Sequence, residues 1–176
     1  MLSSDKRREE RYMERVWGIY THPLFIKCVA AIEDAEKERI YCHHDMEHFL
    51  NVARIAYILS IEREYNLSKE EIYATALLHD LGRMQEYANG TPHHEASVEN
   101  AKKILTEAGF DAHECMRICN AIRAHRTAIR EIAGTEAQLL AEVIQEADKL
   151  SRDCYRCKAR DGCYWSDEKK NLKILW

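Results

Sequence analysis

The adjacent pair His79-Asp80 is the feature of this chain with the clearest capacity for chemistry. Other residues that can bind a metal lie singly on either side of the pair: His48, His93, His125 and Asp148. Most of this set falls on the apolar face of a predicted helix, where an imidazole or carboxylate without a partner is costly to bury. A bound cation offsets that cost for several groups at once. The pattern therefore predicts a metal centre inside a helical bundle, and with it a metal-dependent hydrolase.

The elements that must position these residues are predicted to be helices. Apolar residues recur at steps of three and four along most of the chain, and no alternating strand pattern is present. Helices are expected at about 4–20, 24–38 and 45–65, from 68 to a C-terminal glycine near 82, between 94 and 109, and from 111 and 135 onward. Three pairs have the spacing of capping boxes: Ser68 with Glu71, Asp111 with Glu114, and Thr135 with Gln138. Residues 83–94 are expected to form a loop.

Composition agrees with an all-α, compact single-domain helical bundle. The 176 residues fit one domain, and only 6 Gly and 2 Pro interrupt a sequence rich in helix formers. The net charge of −4, without a basic stripe, implies no obligate nucleic-acid partner. The charged start and the lack of a long apolar run predict no secretory signal, no membrane span and a cytoplasmic location. We divide the chain into N-terminal helices (1–38), a metal-binding core (39–152) and a Cys- and aromatic-rich tail (153–176).

The order His48, His79-Asp80, Asp148 resembles the HD superfamily of metal-dependent phosphohydrolases. The segments ALLHDLGR (76–83), HFLNVA (48–53) and EADKL (146–150) look like its central, first-ligand and last-ligand segments. The resemblance covers residues 40–152 and implies an HD-type bundle. It also implies hydrolysis of a phosphoric ester or anhydride, in a nucleotide or another small phosphorylated metabolite, by a metal-bound hydroxide.

The resemblance further implies a dinuclear centre of divalent or mixed-valent transition metal, with Fe, Mn, Ni, Co or Zn all compatible with imidazole and carboxylate ligands. The implied ligands of the first metal are His48, His79, Asp80 and Asp148, and those of the second are Asp80, His93 and His125. Asp80 would bridge the two metals as the catalytic carboxylate. Ser97 is the small residue expected four positions after the ligand, which favours His93 over His94. This layout is similar to the subgroup that hydrolyses symmetrical dinucleoside tetraphosphates.

Cationic residues near the ligands are candidates to bind the phosphate of a substrate. Arg83 and Lys149 are the candidates by position, although a surface ion pair explains each of them equally well. Many members of the superfamily have Arg three residues after the first His, and here that residue is Asn51. The contact is then lost or supplied from elsewhere, such as Arg54, Arg83 or Arg126.

The cysteine-rich tail is the second feature that suggests a metal. The chain has 7 Cys, which without a secretory signal are expected to be reduced. Cys154, Cys157 and Cys163 could form a second metal site for Zn or an iron–sulfur cluster. The sequence leaves the fourth ligand open among Cys42, Cys115, Cys119 and a histidine. The alternative is that these thiols pack as small apolar side chains.

Two other functions are compatible with the same ligands. One is an HD-type oxygenase with a mixed-valent di-iron centre, and the other is a non-catalytic module that binds a metal or nucleotide for regulation. Substrate specificity is expected to depend on the loops at 83–94 and 126–135, as is usual for scaffolds whose loops surround the site. The substrate, the metal and the oligomeric state are left open at this point.

Overall fold

The computed structural model describes residues 12–124 and 134–174. The α-helices in these ranges are α1 (Glu14–Tyr20), α2 (Pro23–Ala35), α3 (Met46–Glu62), α4 (Lys69–Leu78), α5 (Arg83–Asn89), α6 (His93–Glu107), α7 (Ala112–Ala124) and α8 (Thr135–Leu150). Three short 3₁₀ turns follow: Cys154–Arg156, Arg160–Gly162 and Asp167–Lys169. The described ranges contain no β-strand, and the predicted all-α fold is confirmed. Within them, no helix has both the length and the apolarity needed to cross a membrane.

Two of the predicted capping boxes form the starts of helices. The Ser68 hydroxyl accepts a bond from the Glu71 N–H at 3.5 Å before α4. Before α7, Asp111 Oδ1 accepts from the Glu114 N–H at 2.9 Å, and Glu114 Oε2 accepts from the Asp111 N–H at 2.9 Å. The side chains thus satisfy backbone donors that the first helical turn leaves without partners.

Three local predictions are wrong. Residues 83–94 contain helix α5 rather than a continuous loop, and none of the α5 residues is buried, so no apolar stripe signals this helix in the sequence. Thr135 does not cap α8, because it is already helical and Gly134 precedes it without a side-chain cap bond. Gly82 does not end α4 as a left-handed glycine. It has a φ of −72° and stands immediately before α5, whereas α4 ends at Leu78.

The core lies between α3, α4, α7 and α8. Helix α3 packs against α4 and α8, α7 packs against α6 and α8, and the N-terminal helices cover α4 and α5. The largest fully buried side chains are Phe25, Phe49, Ile19, Ile32, Ile72, Leu77, Leu78, Leu81, Ile104, Leu105, Ile118 and Ile122. Burying each such side chain contributes about 1.5–3 kcal/mol. The pair His79-Asp80 lies within this apolar interior, with 0% and 1% of its surface exposed.

Gly82 allows two backbone segments to approach each other next to this pair. A Cβ atom built on Gly82 would lie 2.1 Å from the carbonyl oxygen of His93 and 2.4 Å from the backbone nitrogen of Ser97. The Gly82 N–H also donates to the Ser97 hydroxyl at 2.8 Å. The first turn of α6 is therefore held directly against the turn that follows Asp80.

We predict that Gly82→Ala destabilises the fold by roughly 1–3 kcal/mol or more, because the methyl group must displace backbone atoms of α6. Urea denaturation of chelator-treated protein measures this change. Gly18→Ala is the matched control, since its Cβ would meet Ala108 Cβ at an ordinary 3.5 Å and lies inside α1. Equal stability of the two variants would contradict the proposed close approach.

Candidate metal centre

Four side chains from three helical segments converge in the interior of the bundle. They are His48, His79, Asp80 and Asp148, and one ligand atom from each lies within 4.8 Å of the others. His48 belongs to the first turn of α3, whose start is fixed by the bond from the His48 N–H to Asp45 Oδ1 at 2.9 Å. Asp148 belongs to the last turn of α8. The structure thus brings together the whole predicted first ligand set, and metal binding by it stays a prediction.

The imidazole Nε2 atoms in this group face carboxylate oxygens. His48 Nε2 and His79 Nε2 lie 3.5 Å and 3.9 Å from Asp148 Oδ1. His79 Nε2 also lies 3.5 Å from Asp80 Oδ2. These distances are too long for good hydrogen bonds but leave room for a cation between the donor atoms.

Hydrogen bonds on the opposite side of the rings fix their protonation. His79 Nδ1 lies 2.7 Å from the Ala76 carbonyl oxygen, so Nδ1 must carry the proton. The Ser151 hydroxyl donates to the Asp148 carbonyl at 2.8 Å and must therefore accept from His48 Nδ1, which lies 3.2 Å away. Assigned in this way, both rings direct Nε2 to the interior, and at His48 that atom carries the lone pair. Metal-binding histidines are commonly oriented by such outer partners.

His93 extends the cluster on the other side of Asp80. Its Nε2 lies 3.5 Å from Asp80 Oδ1, and its Nδ1 lies 2.8 Å from Glu86 Oε1. His93 is buried, whereas the neighbouring His94 is only partly buried. The geometry therefore favours His93 over His94 as a ligand. The remaining predicted ligand, His125, lies outside the described residues.

His44 is the site residue that sequence reasoning missed. Its Nε2 lies 3.5 Å from Asp80 Oδ2, and its Nδ1 lies 2.6 Å from Glu36 Oε1. Glu36 is itself 2% exposed, and the Tyr87 hydroxyl donates to the same oxygen at 2.5 Å. Both His44 and Glu36 lie in the connector between α2 and α3, outside any helical stripe. The only signal in the sequence was the His43-His44 pair immediately before Asp45.

Each buried carboxylate of the cluster also has an arginine beside it. Arg83 Nε lies 3.1 Å from Asp80 Oδ2, and Arg152 Nη2 lies 3.1 Å from Asp148 Oδ1. Arg83 was predicted, whereas Arg152 was not. Lys149 is exposed, and its backbone carbonyl accepts a bond from Asn171 Nδ2 at 2.8 Å. Its contact with a substrate stays a prediction.

The electrostatic environment keeps these groups in the forms that bind a cation. Burial, reinforced by His79, lowers the pKa of His48 to about 3, so its imidazole is neutral near pH 7. Burial alone would raise the pKa of Asp148, but His79 and Arg152 outweigh burial and lower it. Burial opposes ionisation of Glu36 as well, yet the bonds from His44 and Tyr87 hold its pKa at about 2.

The cysteines of the tail lie next to this centre. Cys154, Cys157 and Cys163 line a cavity of about 390 Å³ that also reaches His48. Burial raises the pKa of the Cys154 thiol, and nearby Cys42, Cys163 and Cys157 raise it further. The predicted tail cysteines are therefore neighbours in space, and Cys42 lies with them.

The family of the chain is shown by comparison with known proteins. The HD domain family model matches residues 45–153, and the chain belongs to this family. A protein of Clostridium beijerinckii (strain ATCC 51743 / NCIMB 8052), described as uncharacterized, is 43% identical over 164 residues, covering 93% of this chain and 100% of that protein. The chain also matches the crystal structure of a predicted HD superfamily hydrolase from an uncultured Thermotogales bacterium. The match covers 97% of this chain and 88% of the chain in that crystal structure. It has a TM-score of 0.63 and 23% identity, which supports a common fold.

We predict that the chelator-treated protein loses stability as the pH falls below about 6.5, the ordinary pKa of histidine. His48 titrates only near pH 3 when folded, so the unfolded chain binds an extra proton between these values. Stability then declines by up to ~1.4 kcal/mol per pH unit from this residue.

Denaturation midpoints between pH 4 and pH 8 measure this decline, which should be shallower in His48→Gln. The matched control is His113→Gln, because His113 is exposed. Identical pH profiles for the wild type and His48→Gln would contradict the assignment of a buried neutral imidazole.

Proposed function

We propose that this protein is a metal-dependent phosphohydrolase that acts on a nucleotide or another small phosphorylated metabolite. The observation that carries the proposal is the orientation of the buried imidazoles. Each of four rings is held through Nδ1 and turns Nε2 toward Asp80 or Asp148: His44, His48, His79 and His93. A lone pair that faces a carboxylate, as at the buried neutral His48, is unfavourable unless a positive charge lies between them.

The ligand chemistry of the cluster fits a metal, and one buried nitrogen in the cluster has no hydrogen-bond partner. His48 Nε2 is buried and has no hydrogen-bond partner among the described residues. His48, His79, Asp80 and Asp148 would hold one ion, and Asp80 and His93, together with the predicted His125, would hold a second. When bound, such ions lower the pKa of water and neutralise phosphoryl oxygens. Asp80 suits a bridging role because its two oxygens face different histidines.

Arg83 and Arg152 are proposed to bind the phosphoryl oxygens of the substrate. Both guanidinium groups are largely buried, with 12% of each side chain exposed, and both already lie beside an anionic oxygen. A planar guanidinium suits bidentate contact with phosphate. Arg152 has the position to replace the phosphate contact that is missing at Asn51, since both residues line the same cavities.

His44 is proposed to position Asp80. The Glu36 carboxylate accepts from Nδ1 and orients the ring, so that Nε2 faces Asp80 Oδ2. Buried outer partners of this kind fix the orientation of a ligating carboxylate.

A cationic cavity supports a substrate with several phosphates. A cavity of about 400 Å³ lies beside Ser151 and Arg152. It is lined by four cationic side chains, Arg54, Arg152, Arg156 and Lys173, and by two carboxylates, Glu47 and Asp153. Such a surface favours anions with extended charge. The proposed substrates accordingly include nucleotides and symmetrical dinucleoside tetraphosphates, because the ligand sequence resembles that of their hydrolases.

The central test is a screen of nucleotides, dinucleoside polyphosphates and phosphomonoesters with Mn, Fe, Co and Ni, alongside metal analysis.

We predict that Asp80→Asn loses bound metal and that its kcat/KM falls by more than ~100-fold. Loss of an outer partner of a metal ligand costs about 10–100-fold, and loss of the ligand itself should cost more. Glu146→Gln is the matched control, because Glu146 lies two residues before Asp148 and pairs with Arg63 on the surface. Full hydrolysis by Asp80→Asn would refute the site. Oxygen uptake without phosphate release would instead indicate an oxygenase.

We predict that Arg152→Lys lowers kcat/KM about tenfold or more, mainly through KM, because the loss of one charge-assisted bond costs roughly 1.5–3 kcal/mol. The retained positive charge should preserve the metal content, which elemental analysis checks. Arg63→Lys is the control, since Arg63 pairs only with Glu142 and Glu146 in the described contacts. An unchanged KM in Arg152→Lys would exclude Arg152 as a phosphate ligand.

A further inference from the structure

Four cysteines from two distant parts of the chain meet at one cavity. Cys42 belongs to the connector before α3, whereas Cys154, Cys157 and Cys163 belong to the C-terminal segment. All four line the cavity of about 390 Å³ beside His48. The sequence spacing of the last three suits chelation of one centre.

The other cysteines are excluded as ligands of the same centre by their positions. Cys28 is buried in α2, where its sulfur accepts a bond from Asn100 Nδ2 at 3.8 Å. Cys115 and Cys119 line a different cavity with residues of α6 and α7. Cys42 is therefore the cysteine that completes a set of four. His43 lines the same cavity and is the alternative fourth ligand, so the experiment must distinguish it from Cys42.

The C-terminal segment has little else to hold its conformation. Between residues 155 and 174 no side chain is buried, and the regular structure consists of 3₁₀ turns. The segment is tied to the bundle by polar contacts, such as the Tyr41 hydroxyl to the Gly162 carbonyl at 2.8 Å. Few apolar contacts hold this segment, so a bound metal would add to its stability.

The lining of the cavity carries a small excess of positive charge. Arg152, Arg156, Arg160 and Lys170 line it together with the cysteines, and so do the acidic residues Asp45, Glu47 and Asp153. Arg156 pairs with Asp153 at 2.6 Å. The remaining positive charge would offset part of the negative charge of a centre with thiolate ligands.

We propose that Cys42, Cys154, Cys157 and Cys163 bind a metal centre through their thiolates and so fasten the C-terminal segment to the bundle. Zinc and iron–sulfur clusters share this ligand chemistry. The four sulfurs do not all lie within 4.8 Å of one another in the described structure, so one zinc ion would draw them closer together. Metal and sulfide analysis distinguishes the two kinds of centre.

This centre would also support the His/Asp cluster. Arg152 forms part of the cavity wall, its guanidinium stacks over the Trp165 ring of the C-terminal segment at 5.2 Å, and its Nη2 contacts Asp148. His48 is part of the same wall. A released C-terminal segment would therefore free Arg152 from one side and loosen the position of Asp148.

The test uses full-length protein purified anaerobically, with zinc, iron and acid-labile sulfide measured per chain. The Asp80→Asn variant serves as the background, so that metal at the His/Asp cluster does not contribute. Iron with sulfide and visible charge-transfer absorbance would identify a cluster, and about one zinc without sulfide would identify zinc. Either metal supports the proposal if Cys157→Ser and Cys42→Ser each remove it while Cys115→Ser and His43→Ala retain it.

Limited proteolysis provides the second readout. The C-terminal segment should be cleaved at least ~10-fold faster in Cys157→Ser than in Cys115→Ser, because local opening then costs less free energy. Asp80→Asn protein that contains neither zinc nor iron, or metal that persists in both Cys42→Ser and Cys157→Ser on that background, would overturn the proposal. Phosphohydrolase activity plays no part in either readout, so the two proposals can fail separately.

Discussion

The structure depends on placing carboxylates and imidazoles together inside a helical bundle. Asp80 is buried and Asp148 is partly buried, and the imidazoles nearest to them turn Nε2 toward the carboxylate oxygens. Such an arrangement is costly without compensating charge, because ionised groups lose hydration when they are buried. Arg83 and Arg152 supply part of that charge. A cation between the donor atoms would supply more, and this is the physical basis of the proposed metal centre.

Several features outside the ligand set maintain this geometry. Ser151, Glu86, Glu36 and the Ala76 carbonyl fix the four rings through Nδ1. Gly82 and Ser97 hold α6 against the turn after Asp80, so that His93 reaches the second carboxylate oxygen. Preorganisation of this kind reduces the reorganisation needed when a charged substrate binds. The same rigidity explains why small changes at Gly82 should matter as much as changes in the ligands.

The helices and most of the cluster could be predicted from the sequence. His48 and Asp148 lie on clear apolar stripes, and the pair His79-Asp80 lies at the end of another stripe. The connector and α5 could not be predicted in this way. His44 and Glu36 follow no periodic pattern, and α5 buries none of its residues, so neither leaves a hydrophobic signature. Arg152 was missed because its role depends on contacts from three separate segments, a kind of information that local patterns do not contain.

The connector between α2 and α3 also affects how relatives should be compared. The family model matches residues 45–153, one residue after His44 and nine after Glu36. A domain trimmed to that boundary would keep the metal ligands and lose the acid–imidazole pair behind Asp80. Alignments restricted to the same boundary would group chains with this pair and chains without it. Classifying relatives by their chemistry therefore requires alignments that extend upstream to Glu36, the residue that follows α2.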